Sequence, residues 1–168
     1  MPISELLLPE FDTEIAITRR VLERVPDDKG AWKPHEKAFP MGHLAQLVAR
    51  LPGWVVMMVD RDELDIAPLD GPKSPGYSLE ATETLLAEFD KGAAAGRAAL
   101  AKVTDEQLHQ QWTLKAAGKV QYAGERYQML RGMVLNHLVH HRAQLALYLR
   151  LVGEQVPEMY GPSADTKR

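Results

Sequence analysis

The sequence contains no cysteine in its 168 residues. Disulfide bonds, thiolate metal ligands and cysteine nucleophiles are therefore excluded. No uninterrupted apolar run approaches the roughly 18 residues that a membrane-spanning helix needs. The first residues also lack the basic start and apolar core of a signal peptide. We therefore expect a soluble, cytoplasmic protein that has no membrane partner.

The charged residues are not concentrated in any part of the sequence. There are 20 basic and 23 acidic residues, which give a formal net charge of −3, and neither a lysine and arginine run nor a basic and aromatic alternation is present. Nucleic-acid binding depends on a concentrated basic surface. We therefore expect no nucleic-acid partner, and predict that the chain binds a small molecule, a second copy of itself, or both.

Four stretches of the sequence show the spacing of apolar residues that is typical of amphipathic helices. A chain of this length fits one domain, so we predict a single domain over residues 1–168. Four long helices favour an all-α fold, a four-helix bundle with long crossing loops. The helices are predicted at residues 4–25, 41–58, 79–103 and 125–152.

Local signals refine this prediction. Pro52 should kink or divide the second helix, and Ser78 is the expected N-cap of the third. Gly92 and Gly96 either weaken the third helix or allow a close contact with a neighbouring helix. Residues 111–122 are interpreted as an extended loop or as a small hairpin.

The most informative pattern is a pair of histidines on the last predicted helix. His137 and His141 lie four residues apart, which places them on one face of a helix. Two imidazoles so placed can bind one divalent metal ion at about 2.0–2.1 Å; alternatively, they hydrogen-bond only to each other and to water. The zinc metalloprotease pattern is excluded because Leu138, and not glutamate, follows His137. His140 lies about 100° around the helix from His141 and should face a helix edge or a neighbouring chain.

A metal site needs at least one more ligand, and the candidate is His43 near the start of the second helix. Its helix face continues through apolar residues, so its side chain can point into the bundle. Three neutral imidazoles would leave positions open for water or a substrate anion. The alternative is that His43 is a partly exposed surface residue. Because nucleophile elbows and phosphate-binding loops are absent from the sequence, an enzyme of this kind would depend on the metal.

Several segments, which together cover nearly the whole chain, carry a family resemblance: WKPHEK at 32–37, GHLA at 42–45, LPGW at 51–54, NHLVHHRAQL at 136–145 and YGPSAD at 160–165. They resemble the DinB-like family of damage-inducible proteins, a group regarded as metalloenzymes. The resemblance implies a four-helix bundle, often a homodimer, in which three histidines bind a divalent metal such as nickel or zinc. One of these ligands comes from the second helix, and His137 and His141 match the other two.

The second-helix ligand departs from the family pattern. The family histidine often falls where this chain has Leu47, and His43 lies one turn earlier. One helical turn is about 5.4 Å along the axis, too far for the metal ion to keep its position. Either His43 therefore replaces the family ligand and the metal ion lies elsewhere, or the triad is incomplete. The resemblance implies a metal-dependent enzyme, such as a transferase or isomerase that uses a low-molecular-weight thiol. The alternative is a non-enzymatic stress-response or ligand-binding bundle that has lost its metal site.

Three polar residues within these segments each have two possible roles. Arg142 and Gln144 match the family motif after the histidine pair, and the favoured interpretation is that they form hydrogen bonds at the helix surface or between helices. The alternative is that they orient the ligands or contact the substrate. Glu36 would act as a base or outer partner only if its loop folds over the histidines.

Overall fold

The fold is mostly helical and is seen in a computed structural model that describes residues 1–70, 76–78 and 81–166. Sequence periodicity located its long helices within a few residues. The helices are, in chain order, α1 (Ile3–Leu22), α2 (Met41–Arg50), α3 (Trp54–Asp60), α4 (Thr82–Leu100), α5 (Asp105–His109), α6 (Arg126–Leu130) and α7 (His137–Leu151). Within the described ranges, no helix is both long and apolar enough to cross a membrane.

The second predicted helix is divided at Pro52, as its sequence predicts. A 3₁₀ turn over Leu51–Gly53 separates α2 from α3, because proline cannot donate the backbone hydrogen bond that a continuous helix requires. Helix α4 packs along this interruption and contacts both α2 and α3. The prediction that the glycines of α4 allow a close contact is confirmed, since Gly92 and Gly96 face Gly53 and Pro52.

The start of α4 differs from the prediction. Its N-cap is Ala81, which makes no side-chain capping hydrogen bond, so the proposed capping role of Ser78 is wrong. The helix begins at Thr82, whose amide and hydroxyl both donate to Asp27 Oδ1, at 2.7 Å each. A long-range acceptor thus replaces the local cap. The predicted first residue, Leu79, lies outside the described residues.

The all-α prediction is confirmed only in part: the chain is mostly helical, but it also contains a small three-stranded sheet. Its strands are β1 (Glu63–Asp65), β2 (Gln111–Ala116) and β3 (Lys119–Glu125), in the order β1-β2-β3. The hairpin of β2 and β3 was one of two interpretations of residues 111–122, and its turn places Ala117 and Gly118 at φ of 51° and 75°. Strand β1 pairs parallel with β2, about 50 residues away, and such pairing leaves no local sequence signal.

The last predicted helix is present as α6, a π-helical segment over Arg131–Asn136, and α7. In a π-helical segment the backbone hydrogen bonds link residues five apart instead of four, and such segments often occur at functional sites. Helix α7 packs against α1 and α2, and it directly follows the π-helical segment. The first residue of α7 is therefore set at a change in backbone register, and that residue is His137.

Candidate metal site

His137 and His141 lie one turn apart on α7 and their rings face each other. The two Nε2 atoms are 2.8 Å apart and the ring centroids 4.5 Å apart. His141 is buried, with 9 % of its surface exposed, and His137 is half-buried. The ring of Trp54 stands edge-on to His137 at 5.8 Å. The pair is therefore partly shielded from solvent at the side of the helical core.

The other ring nitrogen of each histidine has an oxygen neighbour. His137 Nδ1 lies 3.3 Å from the Met133 carbonyl oxygen, and His141 Nδ1 lies 2.8 Å from Gln144 Oε1. A hydrogen bond to either oxygen requires a proton on Nδ1, because a carbonyl or amide oxygen only accepts. Each neutral ring then presents its Nε2 lone pair to the other ring. A cation between the two Nε2 atoms, or a different tautomer of one ring, removes their repulsion.

At the end of the π-helical segment, the Met133 carbonyl oxygen lies next to a ring nitrogen of His137. In an α-helix, this carbonyl would accept from the amide N–H of His137, four residues later. Here the His137 amide donates to the Val134 carbonyl instead. The Met133 oxygen can consequently accept from His137 Nδ1 and fix the orientation of the ring. No local pattern in the sequence predicts this change in register.

Both imidazoles are held in the neutral form. Burial lowers the pKa of His137, and the neighbouring charge of His141 lowers it further. Burial also lowers the pKa of His141, against a hydrogen bond to Gln144 that raises it, and positive charge on His140 or His43 adds to the lowering. Neutral imidazole is the form that binds metal ions. The pair is therefore ready to bind a cation without first losing protons at neutral pH.

The third predicted ligand, His43, lies in an aromatic stack. Its ring is stacked between Phe39 and Tyr77, with centroid distances of 4.3 Å to each, and burial lowers its pKa. The Phe39 ring also stands 6.3 Å from His141, so Phe39 lies beside both His43 and His141. Leu47, where the family resemblance leads us to expect a ligand, is buried with 6 % of its surface exposed and has no donor atom.

These residues fit a metal ion only as a pair. Two nitrogens bound to one ion at about 2.0–2.1 Å lie at most about 4.2 Å apart, so the 2.8 Å separation of the Nε2 atoms is compatible with one ion. Over residues 1–70, 76–78 and 81–166, however, no group of three histidine, aspartate or glutamate side chains is arranged to hold a metal ion. The structure thus joins His137 with His141, and within the described residues His43 does not complete a group of three with them.

The remaining candidates separate into structural and orienting residues. Arg142 is fully buried and contacts Glu14 at 2.6 Å, which matches the favoured hydrogen-bonding interpretation. Gln144 instead contacts His141 directly, so it belongs to the site. His140 is exposed, with its ring 4.8 Å from that of His141. Glu36 is exposed on its loop, where its backbone oxygen accepts from Lys33 Nζ.

Comparison with known proteins identifies the family. The model of the DinB family matches residues 6–167, nearly the whole chain. The chain belongs to the DinB family. No curated protein matches the sequence.

Two solved structures of DinB-like proteins share the fold. One, from Bacillus cereus ATCC 10987, has 20 % sequence identity and a TM-score of 0.71, and the match covers 95 % of this chain and 98 % of that one. The other, from Bacillus subtilis, has 16 % identity and a TM-score of 0.66, with coverage of 93 % and 96 %. At these identities the likeness concerns the fold alone, so the chemistry of this DinB family member must be argued from its own residues.

Proposed function

We propose that this DinB family protein binds a divalent metal ion, nickel or zinc, through His137 and His141. The observation that carries the proposal is the 2.8 Å separation of two Nε2 atoms whose rings both have an oxygen acceptor at Nδ1. A metal-bound histidine typically donates its other ring N–H to such an oxygen, which fixes its tautomer. Both rings of the pair have that second partner.

When bound, the metal would act as a Lewis acid, or would lower the pKa of a bound water or thiol. The chain supplies the surroundings for this chemistry. The rings of Trp54 and Phe39 stand beside His137 and His141, so the pair has aromatic neighbours. We therefore propose a metal-dependent enzyme, of the transferase or isomerase type that uses a low-molecular-weight thiol.

The test is the metal content of the purified protein. We expect near-stoichiometric nickel or zinc in the wild type and none in a His137→Ala/His141→Ala variant, because both donor atoms are removed. A His35→Ala/His109→Ala variant is the matched control, since it also loses two histidines, both on the exposed surface. Equal metal content in the two double variants would show that the pair does not bind metal.

His43 is tested separately because its ring is held in an aromatic stack. If His43 leaves its stack between Phe39 and Tyr77 to complete the site, His43→Ala should weaken metal binding while leaving the pair intact. The measurement is a titration of metal-free protein with nickel or zinc. An unchanged affinity would exclude His43 from the ligand set.

A second candidate function has its own support. Leu47 is buried at the usual ligand position, and within the described part of the chain no three-residue metal group is present. These observations favour a non-enzymatic bundle that has lost its metal site and binds an apolar ligand or serves as a dimer scaffold. In that case the wild type takes up no metal at micromolar concentration, and the His137→Ala/His141→Ala variant is at least as stable as the wild type.

A further inference from the structure

A column of stacked groups leads to the histidine pair. The guanidinium of Arg50 lies 5.3 Å over the ring of Tyr77. The Tyr77 ring is stacked on that of His43, and the His43 ring on that of Phe39, with centroid distances of 4.3 Å in both cases. The interplanar angles are 22° and 13°, so the three rings are close to parallel. Phe39 is the last ring of this aromatic column, and its centroid lies 6.3 Å from that of His141.

The end of the aromatic column is exposed to solvent. Phe39 has 44 % of its surface exposed, although His43 covers one face of its ring. The exposed part therefore lies on the opposite face and on the edge of the ring. Aromatic rings attract other rings in stacked or edge-to-face arrangements. A planar group of a ligand can consequently continue the column on Phe39, at the end of the column where His141 lies.

The loop before α2 holds the Phe39 backbone in place. On one side, the Ala38 amide donates to the His35 carbonyl at 3.0 Å. On the other side, Pro40 follows directly, and a proline restricts the backbone of the residue before it. A residue that is already ordered loses little conformational freedom when a ligand binds, which favours affinity. Phe39 is therefore preorganised for contact with a ligand.

In the column, His43 supports Phe39 through its flat shape and not through its nitrogen atoms. Rings cover both faces of its imidazole, so His43 lies behind Phe39 and Tyr77 lies behind His43. The segment that carries Tyr77 is attached to α2, since the Ser78 amide donates to Oε1 of the buried Gln46 at 2.8 Å. This role requires a planar side chain at position 43, and it does not require a metal ligand.

We propose that Phe39, supported by His43 and Tyr77, is a platform on which a planar aromatic group of a small-molecule ligand stacks beside the histidine pair. The inference rests on the proposed function only in that this ligand would be the substrate of the metal site. An aliphatic group of the same size would bury a similar area on Phe39 without the attraction between rings. That attraction corresponds to a preference of about 2- to 10-fold for the planar group.

Phenol and cyclohexanol are the probes, because both are six-membered rings with a hydroxyl group and only phenol is planar. Each is titrated into the metal-free full-length protein, and the amide signals around Phe39 are followed by ¹H–¹⁵N NMR. We expect phenol to bind about 2- to 10-fold more tightly than cyclohexanol. In Phe39→Leu protein, which keeps an apolar side chain, the two probes should bind equally. The matched control is Tyr122→Leu, at another exposed ring, which should keep the wild-type preference.

Two substitutions of His43 separate the stacking role from a role as metal ligand. His43→Phe keeps a planar ring between Phe39 and Tyr77, so the preference for phenol should be retained. His43→Leu removes the planar ring, so Phe39 loses its support and the preference should fall. A role as metal ligand alone would make the two variants equal, because neither side chain can bind a metal ion.

The inference is overturned if phenol does not bind at millimolar concentration, if the wild type binds both probes equally, or if Phe39→Leu protein keeps the preference for phenol. The metal content of the wild type is a separate result. A preference for phenol in a protein that takes up no nickel or zinc would remove the proposed function and leave the platform. Metal uptake without a preference for phenol would leave the metal site and remove the platform.

Discussion

At the scale of single residues, Arg142 shows how a motif residue next to the site serves the core. Its guanidinium is fully buried and donates to the Thr18 hydroxyl at 3.1 Å and to the Tyr160 hydroxyl at 2.5 Å. It also forms an ion pair with Glu14 at 2.6 Å. The Tyr160 hydroxyl in turn donates to the Glu14 carboxylate at 2.7 Å. One side chain of α7 thus joins α1 to the C-terminal segment.

This network predicts a large loss of stability for Arg142→Met. The substitution leaves the Glu14 carboxylate buried without its cation, so we expect the free energy of unfolding to fall by about 3–5 kcal/mol. The double variant Glu14→Leu/Arg142→Met should recover much of this loss, because no buried charge is left unpaired. Urea denaturation measures both values.

The control for this prediction is Arg97→Met, which breaks an exposed ion pair with Asp12 at 2.8 Å. Exposed pairs contribute little to stability, so its effect should be far smaller than that of Arg142→Met. Equal losses for the two arginine variants would mean that the buried network does not hold α1 to α7.

At the scale of elements, the close packing of α4 on the broken second helix depends on glycine at one position. A Cβ added at Gly96 would lie 2.4 Å from the Pro52 carbonyl oxygen, which is backbone and cannot move aside cheaply. A Cβ added at Gly92 would meet Gly53 no closer than 3.4 Å, which is an ordinary contact. The turn at Pro52 can therefore pack this closely against α4 only because residue 96 is glycine.

The two glycines predict opposite effects of the same substitution. Gly96→Ala should lower the free energy of unfolding by about 1–3 kcal/mol, because α4 must move away from the Pro52 turn. Gly92→Ala should leave stability unchanged or raise it by up to about 1 kcal/mol, since alanine favours helix more than glycine does. Thermal or urea denaturation compares them, and a stable Gly96→Ala protein would contradict this packing.

The elements also show where local sequence is informative. Apolar spacing located the long helices, and Pro52 located the break, because both effects act within one or two helical turns. The sequence did not reveal β1, whose three residues become a strand only by pairing with β2. The sequence did not predict the π-helical segment before α7 either, since the apolar stripe continues through it.

At the scale of the whole molecule, the chain after α7 folds back, and Asp165 holds it in place by an ion pair and a hydrogen bond. This carboxylate contacts the Arg150 guanidinium at 2.7 Å and accepts from the backbone N–H of Val156 at 2.8 Å. The hydrogen bond from Arg150, followed by the one from Val156, lowers the pKa of Asp165 to about 2. The carboxylate therefore remains charged far into the acid range.

The low pKa predicts how the attachment of this segment depends on pH. The folded pKa lies below the ordinary value of about 3.9, so the carboxylate stabilises the attachment fully above that pH. The stabilisation is lost progressively as the pH falls from about 4 to about 2. Hydrogen exchange of the Val156 amide should accelerate over this range, relative to the exchange rate of an unfolded chain at the same pH.

Asp165→Asn is the control for the pH experiment. Without a titrating group at this position, the protection of the Val156 amide should be lower at neutral pH and should not change between pH 4 and pH 2. The same pH dependence in the variant would assign the effect to another carboxylate.

The sequence by itself determined the features of this protein that depend on short-range geometry. The four-residue spacing of His137 and His141 fixed their shared helix face, because the helical period allows no other arrangement. The tertiary structure alone decided that His43 is stacked between Phe39 and Tyr77, and that Leu47 is buried. Contacts between elements depend on how helices and loops pack, and no spacing along one helix specifies that packing.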